Sequence, residues 1–214
     1  MIVLNPAASV KGIKETVMEG KSPEIIIDQA HTLLASIKTG NVVGLRDRAI
    51  LATLVYTACR AGAIAKLKMS DFQHHGGQYV FRFQEKGGKS REIPVRHDLE
   101  GFIIAHVESA GVATEAKYRW LLRAGNGKTK RLGDEPMSSK TICDLVKRRL
   151  MDARLPSRLS PASFRVTAIA DLLTQGVPLE DVQYLAGHAE PQMTGLYDRR
   201  QKKVTRSIVE RISI

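Results

Sequence analysis

At 214 residues the chain is long enough for one domain with a well-buried core, and its 33 Lys and Arg against 22 Asp and Glu give a net charge of +11, the balance expected of a polyphosphate binder. Cys59 and Cys143 stand far apart in no pairing or metal-ligand pattern, which argues against a disulfide framework and for a reducing cytosol. The apolar start before Asn5-Pro6 is too short for a signal-peptide core, and the longest mostly apolar stretch, Ala49 to Ala65, contains Arg60, so neither secretion nor membrane insertion is expected.

Residues 1–22, with Asn5-Pro6, Gly12 and Gly20, show no period and read as a linker or N-terminal arm; the folded unit is expected over 23–214. Ile26, Ala30, Leu33, Leu34 and Ile37 recur at helical spacing, and Asp47 to Ala58 reads as a second apolar helix, preceded by Arg46-Asp47-Arg48, that packs against the first. His74-His75 beside Gly76-Gly77 has no carboxylate or cysteine partner at ligand spacing and reads as a loop rather than a metal site. Tyr79, Val80, Phe81 and Phe83 form a β-rich run, Glu85 to Lys89 a turn, and Arg91 to Val95 a second run, together a hairpin with a lysine-bearing tip.

Helical patterns return over Asp98–Ser109 and Ser138–Met151, separated by the polar stretch Arg123–Gly133, which is expected to be an exposed loop. Ser160-Pro161 predicts a helix start, with Ser as N-cap and Pro at the first helical position, leading into Ala162–Gln175 and stopping at Gly176. Pro178 begins another helix that ends at Gly187, and Pro191 a third that contains Tyr197. The fold class is therefore mainly α with a small antiparallel β-sheet.

Cleaving a phosphodiester without a metal requires a nucleophile, cations for the charge that develops on the phosphorane oxygens, and an acid for the departing oxygen. Arginine suits the second task, because its planar fork bonds two phosphate oxygens and stays charged. The run from Leu54 through Arg60 to Asp71 places an arginine at a helix end before a Leu-x-x-x-Asp segment, and Lys86-Gly-Gly-Lys89-Ser-Arg91 precedes Ile93-Pro94-Val95. Ser160-Pro-Ala-Ser-Phe-Arg165 is followed after 23 residues by His188, and nine further on by Tyr197 in Gly195-Leu-Tyr-Asp-Arg-Arg200.

In this order and spacing the chain resembles the catalytic domain of the tyrosine recombinases, the phage-type integrases, over nearly its whole length. The resemblance implies that Arg60, Arg165 and His188 are catalytic, and that together they favour deprotonation of Tyr197 or accept its proton during attack on a DNA phosphodiester. It implies also that Tyr197 attacks that phosphodiester to give a 3′-phosphotyrosine, and that Lys86, rather than Lys89, protonates the leaving 5′ oxygen. It further implies a partner in double-stranded DNA, no metal or other cofactor, a bacterial cytoplasmic setting, and tetramers on DNA that exchange C-terminal helices, here Val204–Ile214. The chain begins at what resembles the linker after the family's N-terminal core-binding domain, so that domain is expected to be absent. Ala162 stands where the family usually has His, Val166 where His is common, and Ala63 where an acid usually braces the first arginine. Two other readings compete: a DNA-binding module of the same fold without cleavage, and a type IB topoisomerase-like relaxing enzyme.

Overall fold

The computed structural model describes residues 22–84, 90–112, 119–126 and 129–198. Its centre is α2 (Val42–Thr57), whose residues from Ala49 to Leu54 are all solvent-inaccessible. A helix apolar on every side has to be surrounded. Helices α1 (Ile27–Ser36), α4 (His97–Ala110), α5 (Ser139–Asp152) and α6 (Pro161–Thr174) pack around it, with the one-turn α3 (Ala61–Ile64) against its end. Each outer helix contributes one stripe, Ala30, Leu33 and Leu34 from α1 and Ile142, Leu145, Val146 and Leu150 from α5, at the spacing of one helical face. The last two helices, α7 (Leu179–Ala186) and α8 (Pro191–Gly195), form a smaller layer over α6.

Helix α2 begins five residues before the expected Asp47. Asn41 caps it, its side chain accepting from the amides of Val43 and Gly44 at 3.1 Å, and this draws Arg46-Asp47-Arg48 into the helix instead of before it. A glycine is required at 44, since a Cβ there would lie 1.9 Å from the Lys38 carbonyl oxygen. Helix α8 stops at Gly195, so Tyr197 follows that helix rather than lying within it.

The β-structure exceeds the single expected hairpin. Strands β2 (Gln78–Gln84) and β3 (Ser90–Pro94) pair antiparallel as expected, and a further strand, β1 (Phe72–His75), pairs with the other edge of β2. His74 and His75 therefore belong to a strand, and Gly76-Gly77, at φ +60° and +90°, form the two-residue turn that only such backbone freedom permits. The stretch expected as an exposed loop forms a second hairpin from β4 (Arg123–Gly125) and β5 (Leu132–Pro136). Its first residue is buried, and Arg46 Nη1 donates to the Arg123 carbonyl at 2.9 Å.

Among the described residues no helix is long and apolar enough to cross a membrane.

One ion-pair cluster sits inside this core. Asp47 is wholly buried; its Oδ1 accepts from Arg46 Nε and Nη2 at 3.0 and 2.7 Å, and its Oδ2 from Arg149 Nε and Nη2 at 3.0 and 2.6 Å. Removing the charge from one member of such a group leaves the others uncompensated in a poorly solvated place. Asp47→Asn should accordingly lower the unfolding free energy by about 3 kcal/mol, read as a shift of the urea midpoint at unchanged slope.

His106 on α4 is also fully buried, its Nε2 3.1 Å from the Leu121 carbonyl oxygen, with no partner for Nδ1. Burial pushes its pKa down from 6.5 to about 4; Arg46 and Arg123 add to this, opposed by the Leu121 carbonyl and Asp47. Between those values the unfolded chain holds a proton that the folded one does not. The stabilisation is complete above pH 6.5 and is lost as pH falls towards 4, by roughly 3 kcal/mol in all. His106→Gln keeps a donor for Leu121, and urea titrations across this range should show a slope with pH lower by up to one proton.

Candidate active site

The C-terminal end of α2 decides where the functional groups lie. Ala58, which caps the helix, is fully buried and adopts a left-handed conformation at φ 50°, ψ 21°. That conformation costs a residue with a Cβ about 1–2 kcal/mol. It turns the chain sharply, so Cys59 stays buried while Arg60, at the start of α3, emerges exposed. Arg60 was expected to end a helix; it occupies the link between two, and it makes no ion pair with any described residue.

Arg165 projects from the second turn of α6, a helix started by Pro161 and by the Ser163 hydroxyl accepting the Ser160 amide at 3.1 Å. Only 7% exposed, it donates from Nη1 to the carbonyls of Ala58 at 2.5 Å and Ala186 at 2.6 Å. These are the last carbonyls of α2 and α7, and the negative ends of two helix dipoles thus face one guanidinium. Its Nη2 is buried without a partner among the described residues. Burial and the charges of Arg60 and Arg91 lower its pKa to about 10, so it remains a cation at neutral pH.

Helix α7 ends in a Schellman turn: Gly187 lies at φ 62°, and the His188 amide donates to the Gln183 carbonyl at 3.1 Å. This turn aims His188 back towards Arg165. His188 is 7% exposed, and its Nδ1 is 2.9 Å from the Thr194 hydroxyl oxygen. Burial first, then Arg165, Arg60 and Arg91, push its pKa down to about 4, so it is neutral at physiological pH. The half-buried Tyr197 ring stacks parallel to the His188 ring, with centroids 5.9 Å apart, and packs against the small apolar cluster of Ala58, Ile169, Leu173, Val182 and Ala186.

Four of the five candidate residues, Arg60, Arg165, His188 and Tyr197, line one cleft of about 320 Å³, together with Cys59, Ala61, Pro161, Ala162 and Met193. The fifth, Lys86, lies outside the described residues, as do Lys89, the basic residues beyond Asp198 and the C-terminal Val204–Ile214. No carboxylate is among the cleft's described lining residues. An arginine-bearing cleft with no acid among its described lining residues is short of negative charge, and a phosphate is the kind of anion that guanidiniums hold. Ala162 opens on this cleft as an exposed methyl group, so the position bears directly on whatever binds there.

Three contributors were not singled out from the sequence. Ala58 supplies the carbonyl and the turn, Thr194 touches His188, and Arg91 on β3 donates from Nη1 to the carbonyls of Tyr184, at 3.3 Å, and Leu185. The signal for Arg91 was present, because strand alternation puts it on the inward face with Ile93. Its guanidinium also lies over the Phe83 ring, 5.3 Å from the centroid. It thereby ties the sheet to the end of α7 that presents His188.

The chain matches the phage integrase family model over residues 25–203, and it belongs to that family. It is 29% identical over 171 residues to the tyrosine recombinase XerC of Pelobacter propionicus, covering 80% of this chain and 53% of that protein. The chain thus spans about half the length of this curated relative. Among solved structures it shares its fold with the XerH site-specific recombinase bound to palindromic difH substrate, a post-cleavage complex (TM-score 0.70, 19% identity, 89% of this chain and 53% of that one). It shares it also with the Tn1549 transposon integrase in complex with transposon right end DNA (TM-score 0.65, 18% identity, 90% of this chain and 65% of that one). The expected tyrosine recombinase catalytic-domain fold is the fold observed.

Since Arg91 holds the carbonyls that lead into His188, Arg91→Met should cost about 2 kcal/mol of stability. Hydrogen exchange should show the added opening concentrated in α7 amides rather than in α5.

Proposed function

We propose that this chain carries out site-specific DNA strand exchange through a covalent tyrosine intermediate. The observation that supports this reading most is the meeting of Tyr197, Arg60, Arg165 and His188 in one cleft with no carboxylate among its described lining residues. In the proposed reaction the Tyr197 oxygen forms a bond to phosphorus and the bond to the 5′ oxygen breaks. The products are a 3′-phosphotyrosine and a free 5′ hydroxyl. The tyrosine gives up one proton and the 5′ oxygen gains one, from Lys86 by the resemblance. Arg60 and Arg165 neutralise the charge on the non-bridging oxygens, where preorganised donors are worth most. The later attack of a 5′ hydroxyl from a partner strand reverses the chemistry and frees the enzyme.

Double-stranded DNA is the proposed partner, in keeping with the net charge of +11 and with the substrate and DNA held by the two structural neighbours. A homotetramer that exchanges the Val204–Ile214 segments on DNA, in a bacterial cytoplasm at the nucleoid, is the assembly this reading carries. Ala162 favours one second reading, a DNA-binding module in which cleavage is silent.

Incubation with supercoiled plasmid at low salt, followed by a denaturing gel, separates the two. A covalent protein–DNA adduct that disappears with Tyr197→Phe is the expected result. Adduct formation unchanged by that substitution overturns the mechanism. Ala162→His should raise the cleavage rate roughly 100- to 1000-fold, the usual worth of one electrostatic donor. Absence of adduct from both the parent and Ala162→His, with salt-sensitive DNA binding retained, favours the silent module.

A further inference from the structure

Thr194 uses its hydroxyl differently from four of the other helical threonines among the described residues. Thr32, Thr53, Thr57 and Thr174 each donate the hydroxyl to the carbonyl four residues back, at 2.7–2.8 Å. Thr194, fully buried, makes its only side-chain hydrogen bond among the described residues with His188 Nδ1, at 2.9 Å.

A hydrogen bond between a hydroxyl and an imidazole nitrogen can run either way, and the two directions give different active sites. If Nδ1–H donates to the threonine oxygen, the hydroxyl proton is left without an acceptor in a buried place, at the cost of an unsatisfied donor. If the hydroxyl donates to Nδ1, both buried atoms of the pair are satisfied and the ring proton must reside on Nε2, the nitrogen that faces the cleft. His188 is neutral at physiological pH, so one of the two tautomers is present rather than the imidazolium.

We propose that Thr194 is a positioning residue that fixes His188 as the Nε2–H tautomer, making it a hydrogen-bond donor to a bound phosphodiester oxygen and not the base for Tyr197. Nε2 is the ring nitrogen left for the cleft, because Nδ1 is occupied. The Tyr197 proton then passes to solvent, which the half-exposed phenol reaches. The same threonine also holds the nucleophile's backbone, since the Tyr197 amide donates to the Thr194 carbonyl at 3.0 Å. One residue thereby sets both the state of His188 and the position of the chain that carries the tyrosine. The donor role rests on the proposed cleavage reaction, whereas the tautomer stands independently of it.

The test is nitrogen-15 NMR of the His188 ring in the full chain, with Thr194→Val, which keeps the shape, and Thr194→Ser, which keeps the hydroxyl. The parent and Thr194→Ser should show the proton on Nε2, and Thr194→Val should lose that preference. Adduct formation on plasmid DNA should fall about ten- to a hundredfold in Thr194→Val, with DNA affinity unchanged, and recover in Thr194→Ser. A proton on Nδ1 in the parent overturns the proposal, even if Thr194→Val fails to fold. So does a Thr194→Val ring with the parental tautomer. A parent with the Nε2 proton that forms no adduct leaves the assignment standing and counts against the cleavage reading instead.

Discussion

The Arg165 guanidinium is buried where three helices meet, and the position of every other group in the cleft follows from how its charge is met. A buried cation costs several kcal/mol unless it is paired and hydrogen-bonded. No carboxylate is among the described residues that line this cleft. Compensation comes instead from the last carbonyls of α2 and α7, each the negative end of a helix dipole worth about half an elementary charge. To bring both within reach of one nitrogen, α2 must stop at Ala58 in a left-handed turn, and α7 must stop at Gly187. Those two stops release Arg60 on one side and His188 on the other.

The molecule holds a useful contrast at the opposite end of the same helix. There Arg46 and Arg149 share the two oxygens of Asp47, a cluster whose charges are met within the chain. Arg165 keeps Nη2 without a partner among the described residues, and Arg60 makes no ion pair with any of them. About 18 Å of helix, at 1.5 Å per residue from Arg46 to Ala58, separates the two settings. The first belongs to the core, and the second, in the proposed reaction, receives the phosphate. The distinction lies in the accounting of acceptors, not in the degree of burial, since Arg46 and Arg165 are buried alike.

How far this could be read from the sequence varies with the kind of signal. Periodicity located the helices to within a few residues, and the proline starts of α6 and α8 and the glycine end of α7 were each legible from cap chemistry. The β4–β5 hairpin was missed because Arg123–Gly133 is polar and has no alternation; what pairs it is a long-range bond from Arg46 to the Arg123 carbonyl. The early start of α2 was missed because Arg46-Asp47-Arg48 looks like a solvated flank until Arg149, distant in sequence, is known to share Asp47. At the site, spacing singled out Arg60, Arg165, His188 and Tyr197, which the structure brings to one cleft, but not Ala58 or Thr194. A left-handed alanine and a threonine that bonds a histidine leave no pattern in the chain, because both are set by partners in space.

The cleft's four described candidates come from four different places: the link after α2, the second turn of α6, the turn after α7 and the residues after α8. No single element could hold them in register, and the end of α7 is where the ties converge. Arg91 from the sheet and Arg165 from α6 take its last carbonyls, while Thr194 from α8 takes the His188 ring. His188 is kept neutral in this setting first by burial, and then because a proton would add another positive charge beside Arg165, Arg60 and Arg91. A neutral ring can offer one N–H to an incoming phosphate without adding to that repulsion. Ala162 adds no donor to the described lining of the cleft, so under the proposed reaction more of the work of holding a phosphate falls to His188.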